Sequence, residues 1–198
     1  MRRELHCLTG DHSRAFLIGM PSPDFKQNYF ELFGLAPAFR IDAGALAERY
    51  RHLQRDLHPD RFASAAAHER RLAIQYSSFV NEAYSTLKVP QKRAEYLLQL
   101  AGMGAEEVSA QQVDGGFLIE QMELREKLES LPGLVDPEPV LEHLVDEISA
   151  DIRQHQVEFE AAYGAGNLAA AASACVKMQY LGKLLSEAEQ AEADLLDG

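Results

Sequence analysis

Residues 46–62 read LAERYRHLQRDLHPDRF, and this stretch decides the architecture. Leu46, Tyr50, Leu53 and Leu57 recur at i, i+4, i+7 and i+11, which places them on one face of an amphipathic helix. Asp42 opens that helix, and Pro59 ends it, because proline disfavours helical geometry in the residue before it. The remaining faces carry Arg49, Arg51, His52 and Arg55, so the helix is cationic.

Upstream, Asn28 caps a short helix, Tyr29-Phe30-Glu31-Leu32-Phe33, which stops at Gly34. Downstream, Leu72, Tyr76, Phe79, Val80, Ala83 and Leu87 mark a third helix that stops before Pro90. Gln91 to Leu100 form a fourth, closed by Gly102 and Gly104, and the Gly-containing acidic stretch over 101–112 reads as a linker. One helix then runs from about Asp114 to Leu131 and a longer one from about Pro137 to Tyr163. Asn167 caps the last, whose stripe is Ala171, Ala174, Met178, Leu181, Leu185 and Ala188. Three long helices with short connections predict an antiparallel three-helix bundle over 113–198. No segment alternates long enough for a strand. The expected class is all-α.

Composition agrees: 46% hydrophobic, 25% charged and 8% aromatic residues describe a globular chain, and no apolar run approaches a membrane span. Residues 1–27 are expected as a poorly ordered extension, with Met20 as a candidate start; the run Ala15 to Met20 is too short for a signal peptide. His6, Cys7 and His12 lack a properly spaced third ligand, and Cys7 and Cys175 are isolated, so no metal, cluster or other cofactor is expected. The cysteine usage fits a reducing compartment. The net charge of −12 is uneven: residues 1–100 hold 14 Lys+Arg and 11 Asp+Glu, a net of +3, whereas 101–198 hold 5 and 20, a net of −15. That charge argues against nucleic acid as a ligand, and the two halves are expected to attract partners of opposite charge.

His58-Pro59-Asp60 sits where the cationic helix stops. Pro59 fixes one backbone angle, so the loop costs less entropy to hold, and His58 and Asp60 present a donor and an anionic acceptor next to Arg55 and Arg61. That arrangement suits docking on an acidic protein surface. The plain alternative is that Pro59 only punctuates and Asp60 caps a turn.

The context, NYFELFGL, then LAERYRHLQRDLHPDRF, then AIQYSSFVNEAYSTLKVPQKRAEYLLQL, resembles a J-domain over 28–100. With GFLIEQMELREKLE and the closing QYLGKLLSEAEQ, the resemblance extends over about 28 to 198 and points to HscB-type co-chaperones of iron–sulfur cluster assembly. It implies that His58, Pro59, Asp60, Arg49, Arg51, Arg55 and Arg61 engage a DnaK/HscA-type ATPase chaperone and stimulate its ATP hydrolysis. It also implies that the C-terminal bundle holds the scaffold IscU. The paired CxxC module of some eukaryotic members is missing, which implies a bacterial-type, cytoplasmic member.

Helical periodicity adds an independent observation. Phe117, Gln121, Leu124, Leu128 and Leu131 form the core stripe of the first bundle helix, whereas Leu118, Ile119 and Met122 fall on another face, with Glu123 and Glu126 beside them. Val176, Tyr180 and Lys183 lie away from the core face of the last helix, so Tyr180 extends the patch if the two surfaces abut. The resemblance implies that this segment meets the scaffold; the alternative is that Leu118 and Met122 merely widen the core. His143 and His155 have no ligand partner in the sequence pattern, and the carboxylates of 106–160 follow solvent faces. No phosphate loop, nucleophile elbow or HExxH occurs, so no unaided ATP hydrolysis is expected, and the resemblance implies an activator of a partner ATPase and not an enzyme. The rival class is a helical adaptor or dimerisation protein whose HPD is incidental.

Overall fold

The computed structural model describes residues 24–63 and 65–197; His6, Cys7 and His12 lie outside them. Among the described residues there are eight α-helices and no strand: α1 (Tyr29–Leu32), α2 (Ala43–Asp56), α3 (Ala67–Lys88), α4 (Pro90–Leu100), α5 (Ala105–Ser109), α6 (Gly115–Ser130), α7 (Glu138–Gly164) and α8 (Leu168–Asp197). Short 3-10 turns cover Pro59–Phe62 and Leu131–Gly133. The fold is all-α. It divides into two compact units, one of Met1–Leu35 with Gly44–Tyr84, the other of Ala36–Ala43 with Ser85–Gly198.

In the first unit, Asn28 and Glu31 close a capping box on α1: the Asn28 side chain accepts from the Glu31 N–H at 3.0 Å and Glu31 accepts from the Asn28 N–H at 2.9 Å. Gly34 then turns the chain at φ +57°, where a Cβ would stand 3.0 Å from Arg49 Nη1. Arg49 uses that space to donate to the Phe33 carbonyl, an acceptor that the end of α1 leaves without a helical partner. Tyr50 of α2 stacks on Tyr84 of α3 at 3.9 Å between centroids, and Gln54 reaches Asn81. Rising numbers on one helix meet falling numbers on the other, so α2 and α3 are antiparallel. Leu46, Leu57, Tyr76, Val80 and Ala83 are buried, as their spacing requires. Residues 24–27 depart from the expected loose extension: Phe25 meets the Tyr76 and Phe79 rings at 5.7 Å each, and Gln27 donates to the Tyr76 hydroxyl. Aromatic area on α3 is what holds them.

In the second unit, Phe117, Leu124 and Leu131 pack with Leu141, Leu144 and Ile148 of α7 and Leu181, Leu184 and Ala188 of α8. The three-residue connection from α7 to α8 turns at Gly166, φ +72°, and makes that pair antiparallel. Three features differ from the sequence expectation. The stretch 101–112 is not simply a linker, because it contains α5 with Val108 buried, and both α4 and α5 lie against α8. The boundary between compact units falls inside α3, between Tyr84 and Ser85, and α4 groups with the bundle. Val176, expected away from the core, is buried. An α8 covered by α4 and α5 as well as α7 has more than one core face.

Phe39 is held between Phe159 of α7, 4.8 Å away, and the guanidinium of buried Arg93, 5.3 Å from its centroid. Arg93 also donates to the Leu87 carbonyl, and burial lowers its pKa. Phe159 is fully buried and stacks on Tyr163 as well. Phe159→Ala is expected to cost about 3–5 kcal/mol in urea unfolding. Val157→Ala, at an exposed position on the same helix, should stay within about 0.5 kcal/mol of wild type.

Candidate docking surfaces

The loop after α2 is built by backbone geometry. Leu57 still donates to the Leu53 carbonyl, and then His58 turns to φ −59°, ψ 132°, the extended geometry that the following proline imposes. Pro59 opens a 3-10 turn, closed by the Arg61 N–H donating to the His58 carbonyl at 3.0 Å. The Asp60 N–H lies 3.3 Å from His58 Nδ1, and the Asp60 carboxylate lies 3.5 Å from the same nitrogen. Both side chains are exposed, that of Asp60 to 91%.

The four arginines expected at this surface divide into two pairs. Arg49 is spent on the Phe33 carbonyl, and Arg61 donates to Asp56 at 2.9 Å. Asp56 also meets His52, at 3.0 Å, so the chain leaving the loop is tied back to the last turn of α2. Arg51 and Arg55, one turn apart, are exposed and make no ion pair among the described residues. Sequence reading missed a cleft of about 290 Å³ lined by Leu57, Phe62, Arg70, Ala73, Ile74, Ser77 and Ser78. Its signal was present: Ile74 lies off the α3 stripe, and the serines one turn on are too small to cover it.

The second surface lies on the bundle. Leu118, Ile119, Met122 and Tyr180 are 41, 59, 63 and 50% exposed, high values for large apolar side chains. The Tyr180 ring stands edge-to-face with buried Phe117 at 6.2 Å, so Tyr180 borders the contact between α8 and the start of α6. Glu123 and Glu126 are exposed on the same helix. Arg125 pairs with Glu187 of α8 at 3.2 Å and Lys127 with Glu147 of α7 at 3.3 Å, one tie to each neighbour. His155 is more engaged than its sequence context indicated: its ring meets Phe117 at 5.7 Å, and Nδ1 lies 2.7 Å from Glu158. The Cys175 thiol is pushed up to about 12 by burial, so it stays neutral and acts as a small apolar side chain. Among the described residues no cluster of three His, Cys, Asp or Glu is placed to hold a metal, and no helix is long and apolar enough to cross a membrane.

Residues 113–189, which contain this surface, match the family described as the HSCB C-terminal oligomerisation domain. A Shewanella loihica protein named co-chaperone protein HscB homolog is 42% identical over 168 residues, covering 83% of this chain and 97% of its own length. The chain belongs to the HscB co-chaperone family. A Vibrio cholerae HscB homolog is likewise 42% identical, over 172 residues, 85% of this chain and 99% of that one. Chaperone HscB from Vibrio cholerae has a solved structure similar to this one with a TM-score of 0.77 at 40% identity, covering 85% and 99% of the two chains. The human co-chaperone HscB structure gives 0.78 at 30% identity, over 86% of this chain and 85% of that one. The HscB similarity therefore runs through both compact units.

Asp114 controls the start of α6. Lys177, donating at 2.7 Å, and the Phe117 N–H, at 2.9 Å, hold its carboxyl at about 2, below the ordinary 3.8. A depressed folded-state value stabilises the fold at pH above 3.8, and that contribution is lost as pH falls through about 2. Asp114→Asn keeps a capping oxygen and removes the titration. Urea midpoints measured from pH 5 to pH 2 should therefore fall less steeply for this variant than for wild type.

Proposed function

We propose that this HscB-family chain stimulates ATP hydrolysis by a DnaK/HscA-type chaperone through the first unit and presents an IscU-type iron–sulfur scaffold through the second. The observation that carries the reading is the HPD loop, held exposed by a 3-10 turn at the end of a helix with two unengaged arginines. Proline and the turn hydrogen bonds restrict the loop before contact, so little entropy remains to be lost on docking. The His58 imidazole supplies a donor, Asp60 an anionic acceptor, and Arg51 and Arg55 supply attraction toward an acidic surface. The phosphoanhydride bond of ATP is broken by water in the partner's own site; this chain contributes no reacting group.

The second unit contributes the client surface. Leu118, Ile119, Met122 and Tyr180 offer apolar area, and Glu123 and Glu126 beside them favour a client carrying cations. An adaptor joining a chaperone and a scaffold needs two surfaces that do not compete, and opposite charge on the two halves supplies that separation. The bacterial cytoplasm is the setting this proposal implies.

His58→Gln should abolish stimulation of the chaperone ATPase with the circular dichroism spectrum unchanged; stimulation at the wild-type level refutes the role of the loop. Arg51→Glu with Arg55→Glu should raise the concentration needed for half-maximal stimulation. The same quantity should rise with salt for wild type and less for the reversed pair. Leu118, Met122 and Tyr180 changed together to Ala should weaken scaffold binding by several kcal/mol at most, at about 1–2 kcal/mol for each buried apolar anchor. Stimulation without scaffold should be retained in that variant, and the additional stimulation by scaffold lost. Calorimetry beside a melting curve checks this, and unchanged affinity removes these residues from the client site.

A further inference from the structure

Helix α6 carries the exposed apolar face, yet it begins with the weakest of helical sequences. Gly115 and Gly116 fill its first two positions, and glycine loses more backbone freedom in a helix than any other residue. The two glycines are not equivalent. A Cβ on Gly116 would stand 3.3 Å from Asp114 Oδ1, so this glycine makes room for the capping carboxylate. A Cβ on Gly115 would meet nothing within 4 Å, so no packing requires glycine there. Leu118 and Ile119 follow directly, and any fraying of this turn displaces them.

What holds the turn comes largely from outside it. The Asp114 carboxylate accepts from the Phe117 N–H at 2.9 Å and from Lys177 of α8 at 2.7 Å. The Lys177 ammonium also lies 5.3 Å from the centroid of the Phe117 ring. The Lys177 side chain is 18% exposed, packed beneath a carboxylate whose own side chain is 62% exposed. Phe117 is buried, and the rings of Tyr180 of α8 and His155 of α7 both stand edge-to-face with it. One lysine thus ties together the cap of α6, the aromatic ring below the exposed face and the helix that contributes Tyr180.

We infer that Asp114 and Lys177 are positioning residues for client recognition: they latch the first turn of α6 so that Leu118, Ile119 and Met122 are already fixed on its exposed face when the client arrives. The inference rests on the client-surface reading above. Neither residue needs to touch the client. Their effect is preorganisation, which spares the complex the entropy of ordering this turn during binding.

The test uses the full chain and a purified IscU-type scaffold protein. Lys177→Met keeps most of the aliphatic stem and removes the cation. It should weaken scaffold binding about five- to tenfold in calorimetry and accelerate amide hydrogen exchange from Phe117 to Met122. Chaperone stimulation without scaffold should stay at the wild-type level. Lys177→Arg, which retains a cation at the same place, should bind within about twofold of wild type. Gly115→Ala added to Lys177→Met should restore most of the lost affinity and slow the exchange again, because it strengthens the turn by an independent route. Wild-type affinity in Lys177→Met overturns the latch. So does a loss that Gly115→Ala leaves unrepaired while slowing exchange, because Lys177 then acts on the client directly. A wild-type chain that fails to bind scaffold overturns the client-surface reading itself, a different result from either.

Discussion

The burial of α8 on more than one side is the constraint on which the second unit depends. From Ala171 to Leu184 this helix buries Ala171, Ala172, Ala174, Cys175, Val176, Met178, Leu181 and Leu184, a set too wide for one stripe. α7 lies along its length, and α4 and α5 lie against it as well. The small side chains cluster in its first half, which allows close approach of neighbouring backbones, and the leucines dominate its second half. The neutral Cys175 thiol belongs to this set, since a thiolate there would place an unpaired charge in the core. Because α8 supplies so much apolar surface, α6 needs only one buried stripe, Phe117, Leu124 and Leu131, to be held. Its opposite face is free to be apolar for another reason.

How much of this was legible in the sequence follows from the range of the interactions. The α2 stripe, the Asn28 and Asn167 caps and the stop at Pro59 are local, and each is where spacing and capping chemistry place it. The second apolar face of α6 was also legible, because 100° per residue separates Leu118 and Met122 from the Phe117–Leu124 stripe whatever packs nearby. Burial of Val176 was not, because it depends on neighbours of α8 far away in sequence. Nor was the anchoring of residues 24–27, which depends on Phe25 finding Tyr76 and Phe79 some fifty residues later. The arginines show the same limit. Composition identifies four cations near the loop, but only the folded chain distinguishes Arg49 and Arg61, committed to the Phe33 carbonyl and Asp56, from Arg51 and Arg55.

The two surfaces solve the same problem by opposite physical means. The loop is small and polar, and its shape comes from proline, a 3-10 turn and the His58–Asp60 hydrogen bond. Such a surface recognises by geometry and charge, and it costs the isolated protein little to expose. The α6 face is wider and apolar, and exposing it opposes solubility. The acidic balance of the second half, −15, offsets that liability, because two such faces carry like charge toward each other. The ion pairs Arg125–Glu187 and Lys127–Glu147 are exposed and are worth about 0–1 kcal/mol each, too little to hold α6 by themselves. The core stripe holds the middle and end of the helix, and the latch at Asp114 and Lys177 holds its glycine-rich start. An apolar surface that must stay open while unoccupied therefore relies on rigidity from beneath and charge around it, and this helix has both.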